Sequence, residues 1–478
     1  MLDLDRETRN LLWQRLGEVI EGYWRDVPKL RAAPRLDRDA LRALLARLDF
    51  QTPLQPLEAL ELAAAGLREH QVHTPHPRYF GLFNPAPTAM GIVADALVAA
   101  FNPQMAAWSH SPLAAEIELH LARAFGARFG WDPATTDGVF ASGGAEANHT
   151  AVLTALVHAF PGFAEQGVRS LPRAPVLYTS SEAHHSFLKA ARLCGLGTAA
   201  VRAIPADAAL KLDVAALERQ IATDRAAGLD PFFVVATLGT TSAGVLDPIS
   251  AIAELARREH LWLHADAAWG GAVVIVPEMQ GLLAGIERAD SITVDAHKWL
   301  SVPMGAGLYL TRHPQILERT FRVTAGYMPK DAAGMPVVDP YAHSMQWSRR
   351  FIGLKVFLSL AVAGWDGYAD VIRYMTAMGE RLRERLTAAR WRVVNETPLP
   401  IACFVDATSP EGDTMPHLEG IVRDVLGSGH AWISTVRLAD RQPALRACIT
   451  NYRTGLEDLD VLVAALGEAR RQRSSGRA

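Results

Sequence analysis

The stretch Asp290-Ser-Ile-Thr-Val-Asp295-Ala-His297-Lys298-Trp299 constrains this chain more than any other. Ile292, Thr293 and Val294 read as a short buried strand that delivers a His-Lys pair at its carboxyl end. Open α/β sheets place their ligands there. A lysine is costly to bury as a cation, so Lys298 sits in water, enters an ion pair, or serves neutral as a nucleophile. Upstream, Trp262-Leu-His264-Ala-Asp266-Ala-Ala268-Trp-Gly-Gly271 is a second apolar run, ending in an aspartate and small residues. A third, Gly138-Val-Phe-Ala-Ser142-Gly143-Gly144-Ala145-Glu-Ala-Asn148, passes through two glycines into a helix that continues past Leu153 and Leu156. Glycines there let backbone amides converge, and a helix N-terminus favours a dianionic phosphate. A strand-end lysine, a strand-end aspartate and such a turn suit pyridoxal phosphate. That cofactor needs a Schiff-base lysine, a carboxylate for its pyridinium nitrogen and a phosphate cradle.

From residue 86 to about 320, apolar strands alternate with helices, the pattern of an α/β domain with a mostly parallel sheet. Further strands are expected at Val176-Leu-Tyr178, Phe232-Phe-Val-Val-Ala236, Leu261-Trp-Leu263 and Leu308-Tyr-Leu310. After Tyr178 come His184 and His185, at a strand-to-helix turn, where a histidine either caps the helix or meets a ligand. Thr237-Leu-Gly-Thr240-Thr241-Ser-Ala-Gly244 is another polar turn able to offer hydroxyls. Residues 1 to about 75 carry one-sided apolar faces, as in Leu12, Leu16, Val19, Ile20 and Tyr23, and read as helices that must pack on another domain or subunit. His73 to Pro85 is irregular and aromatic: either a linker or a binding-pocket wall. Thr320 to Pro336, punctuated by Gly326 and Gly334, reads as a mobile loop.

A net charge of −3, with 49% hydrophobic and 21% charged residues, fits a soluble globular enzyme and argues for neither nucleic acid nor an anionic membrane as partner. Three cysteines, Cys194, Cys403 and Cys448, are too few for a disulfide framework and show no metal spacing, so a cytoplasmic setting is expected and no metal. The acidic N-terminus lacks a signal-peptide pattern, and no apolar run reaches membrane-spanning length.

Six motifs occur in order: Ser142-Gly-Gly-Ala-Glu-Ala-Asn, Ala183-His-His-Ser, Ala236-Thr-Leu-Gly-Thr-Thr, His264-Ala-Asp-Ala-Ala-Trp-Gly-Gly, Asp290 through His297-Lys298-Trp299, and Ser348-Arg-Arg-Phe. Together they resemble the group II pyridoxal-phosphate decarboxylases, which include aromatic amino acid, glutamate, cysteine sulfinate and diaminobutyrate decarboxylases. The resemblance runs from about Pro75 to Ile449. It implies a fold type I transferase-like α/β architecture, a mostly parallel sheet flanked by helices. It also implies a helical N-terminal dimerisation segment (1–85), a large cofactor-binding domain (86–375) and a small C-terminal α+β domain (376–478).

By the same resemblance Lys298 would be the Schiff-base lysine, Asp266 the pyridinium partner, and His184 the imidazole stacked on the ring near the substrate carboxylate. Ala268 would pack on the other ring face. Gly144, Ala145 and His297 would hold the phosphate, with Thr240 or Thr241 nearby. Tyr327 aligns with a loop tyrosine used as proton donor; Arg446 either meets the substrate carboxylate or makes a structural pair. The implied assembly is a homodimer whose subunits share active sites, with an amino acid as small-molecule substrate. The run His76-Pro-Arg-Tyr-Phe80 is similar to the glutamate and cysteine sulfinate branch, yet Gly81 and Leu82 replace polar amides found there. Phe80, Leu82, Phe83 and Trp108 leave an apolar wall, so an aromatic or bulky apolar substrate is expected first and an acidic or diamino acid second. Oxidative aldehyde formation is a third reading, which Tyr327 opposes.

Overall fold

The computed structural model describes residues 2–35, 37–323, 332, 334–439 and 441–475. The main sheet contains β1 (Asp137–Ala141), β2 (Pro175–Ser180), β3 (Val201–Ile204), β4 (Asp230–Thr237), β5 (Trp262–Asp266), β6 (Ser291–Asp295) and β7 (Gly307–Thr311). Their order is β1-β7-β6-β5-β4-β2-β3. Only β7 runs against its neighbours; the remaining pairs are parallel. Strands β2, β5, β6 and β7 are buried from end to end, as helices on both sheet faces require of their apolar runs. The short edge strand β3 is not among the expected strands. Three of its four residues are partly or fully exposed, so it lacks the apolar run that marks the others.

Register then aligns the chemistry. Thr237 pairs with Asp266, and Asp266 with Thr293, two residues before the end of β6 at Asp295. Three polar strand ends therefore stand side by side at the carboxyl edge. The helix Gly144–Ala159 packs across β4 to β7 and opens onto that edge.

The N-terminal segment forms α1 (Arg6–Asp26), α2 (Arg38–Leu45) and α3 (Pro56–Glu69). Asp5 caps α1 by accepting from Thr8 N, and Asp37 caps α2 by accepting from Ala40 N, both at 2.8 Å. None of these helices has a buried residue, and Leu11, Trp13 and Leu45 stand exposed. Two further helices, α4 (Ala89–Phe101) and α5 (Pro112–Arg128), lead into β1. At the other end, β8 (Trp391–Val393), β9 (Ile401–Asp406), β10 (Ser434–Leu438) and β11 (Gln442–Cys448) form an antiparallel sheet of order β10-β11-β9-β8. The helix Gly353–Ala388, interrupted at Gly364 with φ +64°, crosses residue 375, so one helix runs past the expected boundary. Its start is pinned by Glu118, which accepts from Gly353 N at 3.0 Å and pairs with buried Arg349 at 2.6 Å. That pair accounts for the arginine motif after Ser348. Among the described residues no helix is long and apolar enough to cross a membrane.

The irregular segment from His73 ties both ends of the chain together. Arg78 donates to Pro28 O and His430 O, Asn451 Nδ2 to Pro75 O and His76 O, and Thr454 Oγ1 to Pro77 O. His76 is fully buried. Its Nδ1 accepts from Arg78 N at 2.9 Å, so its proton sits on Nε2, 3.2 Å from the Leu30 carbonyl. Burial lowers its pKa to about 4. Unfolded, the same imidazole would bind a proton below about 6.5, so stability is lost as pH falls from 6.5 toward 4. The loss from this group should reach about 2 kcal/mol at pH 5. Thermal melts between pH 7 and pH 5 should show it, and His76→Asn should flatten that slope; an unchanged slope would assign the loss elsewhere.

Candidate active site

A cavity of about 310 Å³ opens at the carboxyl edge of the sheet. Its floor is the turn after β6. Lys298 Nζ lies 2.9 Å from Asp295 Oδ2, and the Asp295 side chain is only 2% exposed. Of the alternatives open to Lys298, the structure holds the ion pair. Removing either partner of such a pair strands a charge, which typically costs about 3–5 kcal/mol when both are buried. His297 Nδ1 accepts from Ala306 N at 3.1 Å, leaving its proton on Nε2 toward the cavity; burial lowers its pKa.

One wall is the start of α6 (Gly144–Ala159). Glu146 reaches back to Ser142 N and Oγ at 2.8 and 2.7 Å, fixing the turn, and takes a further hydrogen bond from Gln346. The first-turn N–H groups of Gly144 and Ala145 lie outside the helical ladder and suit an anion. Gly144 is required by proximity: a Cβ there would sit 2.8 Å from Asp295 Oδ2.

The opposite wall is the end of β5. Asp266 accepts from Ala268 N at 3.2 Å through Oδ1 and from Asn148 Nδ2 at 2.9 Å through Oδ2. Ser186 N donates to His184 Nδ1 at 3.2 Å, so His184 carries its proton on Nε2. Enclosure by the site lowers the His184 pKa, which keeps the imidazole neutral near pH 7. Thr237 Oγ1 and Asp295 Oδ1 are buried without a partner among the described residues.

The structure therefore brings Lys298, Asp266, His184, His297, Gly144, Ala145, Ala268 and Thr241 around one cavity. Thr240 is spent on its own turn, its Oγ1 accepting from Val245 N at 3.1 Å. Phe83 stacks on Trp269 with centroids 4.5 Å apart, and its ring lies 5.7 Å from Lys298 Nζ and 4.8 Å from the Arg446 guanidinium. Arg446 donates to Thr241 O and Gly81 O, both at 2.9 Å, while its buried Nη2 has no partner among the described residues.

None of the five expected substrate-side residues, Phe80, Leu82, Phe83, Trp108 and Arg446, lines this cavity. Phe80 is wholly buried, with its backbone held by Trp432 O and Cys448 N. Leu82 is 51% exposed. Trp108 donates to Glu116 at 2.8 Å and borders a separate void beside Glu118 and Arg349. Tyr327 lies outside the described residues. Among the cavity residues that receive no role from the sequence alone are Asp295, legible as the acid three residues before Lys298, and Asn148, one helical turn after Gly144.

A phosphate-sized amide nest, an amine, an acceptor carboxylate opposite it and two orphaned polar atoms fit pyridoxal phosphate. The chain belongs to the family defined by the pyridoxal-dependent decarboxylase conserved domain, whose pattern matches residues 45–406. It is thus a pyridoxal-phosphate-dependent amino acid decarboxylase. The aromatic-L-amino-acid decarboxylase of Bacillus atrophaeus is 30% identical over 95% of this chain and 93% of its own length. The cysteine sulfinic acid decarboxylase of Rattus norvegicus is 32% identical over 75% of this chain and 73% of its own. The crystal structure of mouse CSAD superposes with a TM-score of 0.91 at 27% identity, covering 98% of this chain and 99% of that one.

Gly144→Ala should displace Asp295 from Lys298 and weaken pyridoxal phosphate binding roughly 10-fold, the scale of overpacking a tight site. Titration of the apoprotein with the cofactor, followed by visible absorbance, measures it; wild-type affinity would show that Asp295 has room to yield.

Proposed function

We propose that this enzyme decarboxylates an L-amino acid with an aromatic or otherwise bulky apolar side chain. The observation that carries this reading is the composition of the wall beside Lys298. Trp269 and Met304 line the cavity, buried Phe83 stacks on Trp269 with its ring 5.7 Å from Lys298 Nζ, and Arg446, the cation beside them, has two donors committed to backbone carbonyls. An acidic side chain would find an aromatic surface where it needs donors. The Bacillus relative, matched over nearly its whole length, supports the same choice.

In this reading the phosphate rests on the Gly144 and Ala145 amides with His297, Lys298 is the covalent anchor, and Asp266 faces the ring nitrogen. Bound there, pyridoxal phosphate supplies an electron sink for the bond that breaks at the substrate α-carbon. Neutral His184 covers the site opposite Ala268 and, with the spare Arg446 Nη2, orients the substrate carboxylate. A poorly hydrated wall favours loss of that carboxylate as neutral carbon dioxide. Tyr327 is the proposed proton donor to the α-carbon; an ordinary phenol, with a pKa near 10, stays protonated at neutral pH.

A panel assay for carbon dioxide release tests both levels. Aromatic amino acids should show the highest kcat/KM, ahead of cysteine sulfinate, glutamate and diaminobutyrate. Lys298→Ala should abolish release from all of them and the visible band of the anchored cofactor. A preference for cysteine sulfinate would overturn the substrate assignment alone, and peroxide with aldehyde as main products would replace amine formation by the oxidative reaction.

We also propose a homodimer with shared active sites. Helices α1 to α3 lack any buried residue in the single chain, and a second copy would cover them. Sedimentation should give a particle of two chains, and deletion of residues 1–70 should leave an aggregating or cofactor-poor protein. A soluble active monomer after that deletion would refute the assembly. The free cysteines suit a reducing compartment, and the cytoplasm is the proposed location.

A further inference from the structure

Behind the cavity, a file of buried polar side chains runs through β5 and β6 to the Asp266 carboxylate. Trp262 Nε1 lies 2.8 Å from Ser291 Oγ, and Ser291 Oγ lies 2.8 Å from His264 Nδ1. His264 Nε2 is 3.1 Å from Asn148 Oδ1, and Asn148 Nδ2 is 2.9 Å from Asp266 Oδ2. Ser291 and His264 are 0% exposed and Asn148 1%. The file follows from register. His264 and Ser291 are direct partners across β5 and β6, and Asp266, two residues beyond His264, projects to the same sheet face.

The two ends fix the direction of every link. An indole N–H can only donate, and an ionised carboxylate can only accept. Trp262 therefore donates to Ser291 Oγ, and the serine hydroxyl is turned to donate to His264 Nδ1. That places the imidazole proton on Nε2, which donates to Asn148 Oδ1. The amide is thereby locked with its NH₂ toward Asp266 Oδ2 and Ser186 Oγ, the latter also at 2.9 Å. Thr293 Oγ1, 3.4 Å from His264 Nε2, is a weaker branch. Burial pushes the His264 pKa down to about 3, so the ring stays neutral as the sequence of donors requires.

We infer that Asn148 and His264 are positioning residues: the directed file holds Asp266 as a rotationally fixed acceptor aimed at the cofactor ring nitrogen. The inference rests on the proposed pairing of Asp266 with that nitrogen. The same amide also steadies a second cavity group, because Ser186 N donates to His184 Nδ1. With Ala268 N on Oδ1 and Asn148 on Oδ2, Asp266 meets only donors from the protein. Such a surrounding fixes the orientation of both carboxylate oxygens.

Two variants break the file differently. Asn148→Asp is isosteric and sets a second carboxylate against Asp266, so one of the pair must take up a proton. His264→Phe keeps the ring volume and removes both nitrogens, whereas His264→Gln retains one donor and one acceptor. Each protein, reconstituted with pyridoxal phosphate, is read by cofactor dissociation constant and by the relative intensities of the bound cofactor's visible bands. Asn148→Asp and His264→Phe should weaken binding roughly 10-fold, the scale of a lost hydrogen bond to a charge, and redistribute the bands. His264→Gln should return both toward wild type. Lower thermal stability with unaltered bands and affinity in Asn148→Asp would overturn the inference. Asp266→Asn separates the two levels. If it leaves bands and affinity unchanged, the ring-nitrogen reading falls and the file with it. If it alters them while Asn148→Asp does not, the file alone is refuted.

Discussion

Burying an acid at the carboxyl edge of a parallel sheet is the constraint that shapes the rest of this molecule. Asp295 ends β6 almost without solvent, and Lys298 Nζ, 2.9 Å away, is the charge that compensates it. A low-dielectric site makes each partner dependent on the other, so neither residue can be moved independently. The neighbouring backbone must also come close, which excludes a side chain at Gly144. What results is an amine held at a defined point against a helix N-terminus, beside two buried polar atoms, Asp295 Oδ1 and Thr237 Oγ1, that have no partner among the described residues.

The second dependence is longer-ranged. The wall carrying Phe83 is irregular backbone, and its conformation is set by the C-terminal part of the chain. Phe80 N donates to Trp432 O, Cys448 N donates to Phe80 O, and Arg446 on β11 donates to Gly81 O. Trp432 also packs against Gly81 so closely that a side chain there would collide with it. The same arginine donates to Thr241 O, in the turn after β4. One guanidinium thus joins the wall, the small sheet and the cofactor-side turn. The C-terminal part is thereby linked to the turn that places Thr241 at the cavity.

Much of this is legible in the residue order, and the gaps have physical causes. Strands β4, β5 and β6 are continuous apolar runs ending in Thr237, Asp266 and Asp295, so the sheet and its polar edge follow from periodicity. The edge strand β3 has no such run. In the His73–Pro85 segment no period exists, and nothing in the spacing says that Phe83 stacks on the cavity residue Trp269 or that Phe80, three residues earlier, is wholly buried. His76 and Arg78 look like chemistry in one dimension. In three, their polar atoms are consumed by backbone groups of Leu30, Pro28 and His430. Trp108 is equally misleading, because its indole is answered locally by Glu116. Asn148 is hidden for a different reason: its role depends on His264 and Asp266, more than a hundred residues away in sequence.

Arg446 shows how the same geometry bears on selectivity. A guanidinium recognises a carboxylate most strongly as a fork, with two parallel N–H groups. Here Nε and Nη1 point at carbonyls of two different loops, and Nη2 alone is unpartnered. A single donor can orient one carboxylate oxygen but cannot clamp it. Freeing a second donor would leave the carbonyl of Thr241 or Gly81 unsatisfied beside a ring, which costs about as much as the new hydrogen bond would contribute. An α-carboxylate that is about to be lost suits one directed donor, since tight binding of the reactant would oppose its departure. In the proposed reading, an acidic side chain, which must be retained and held throughout, would need the clamp that this arginine has already spent on the fold.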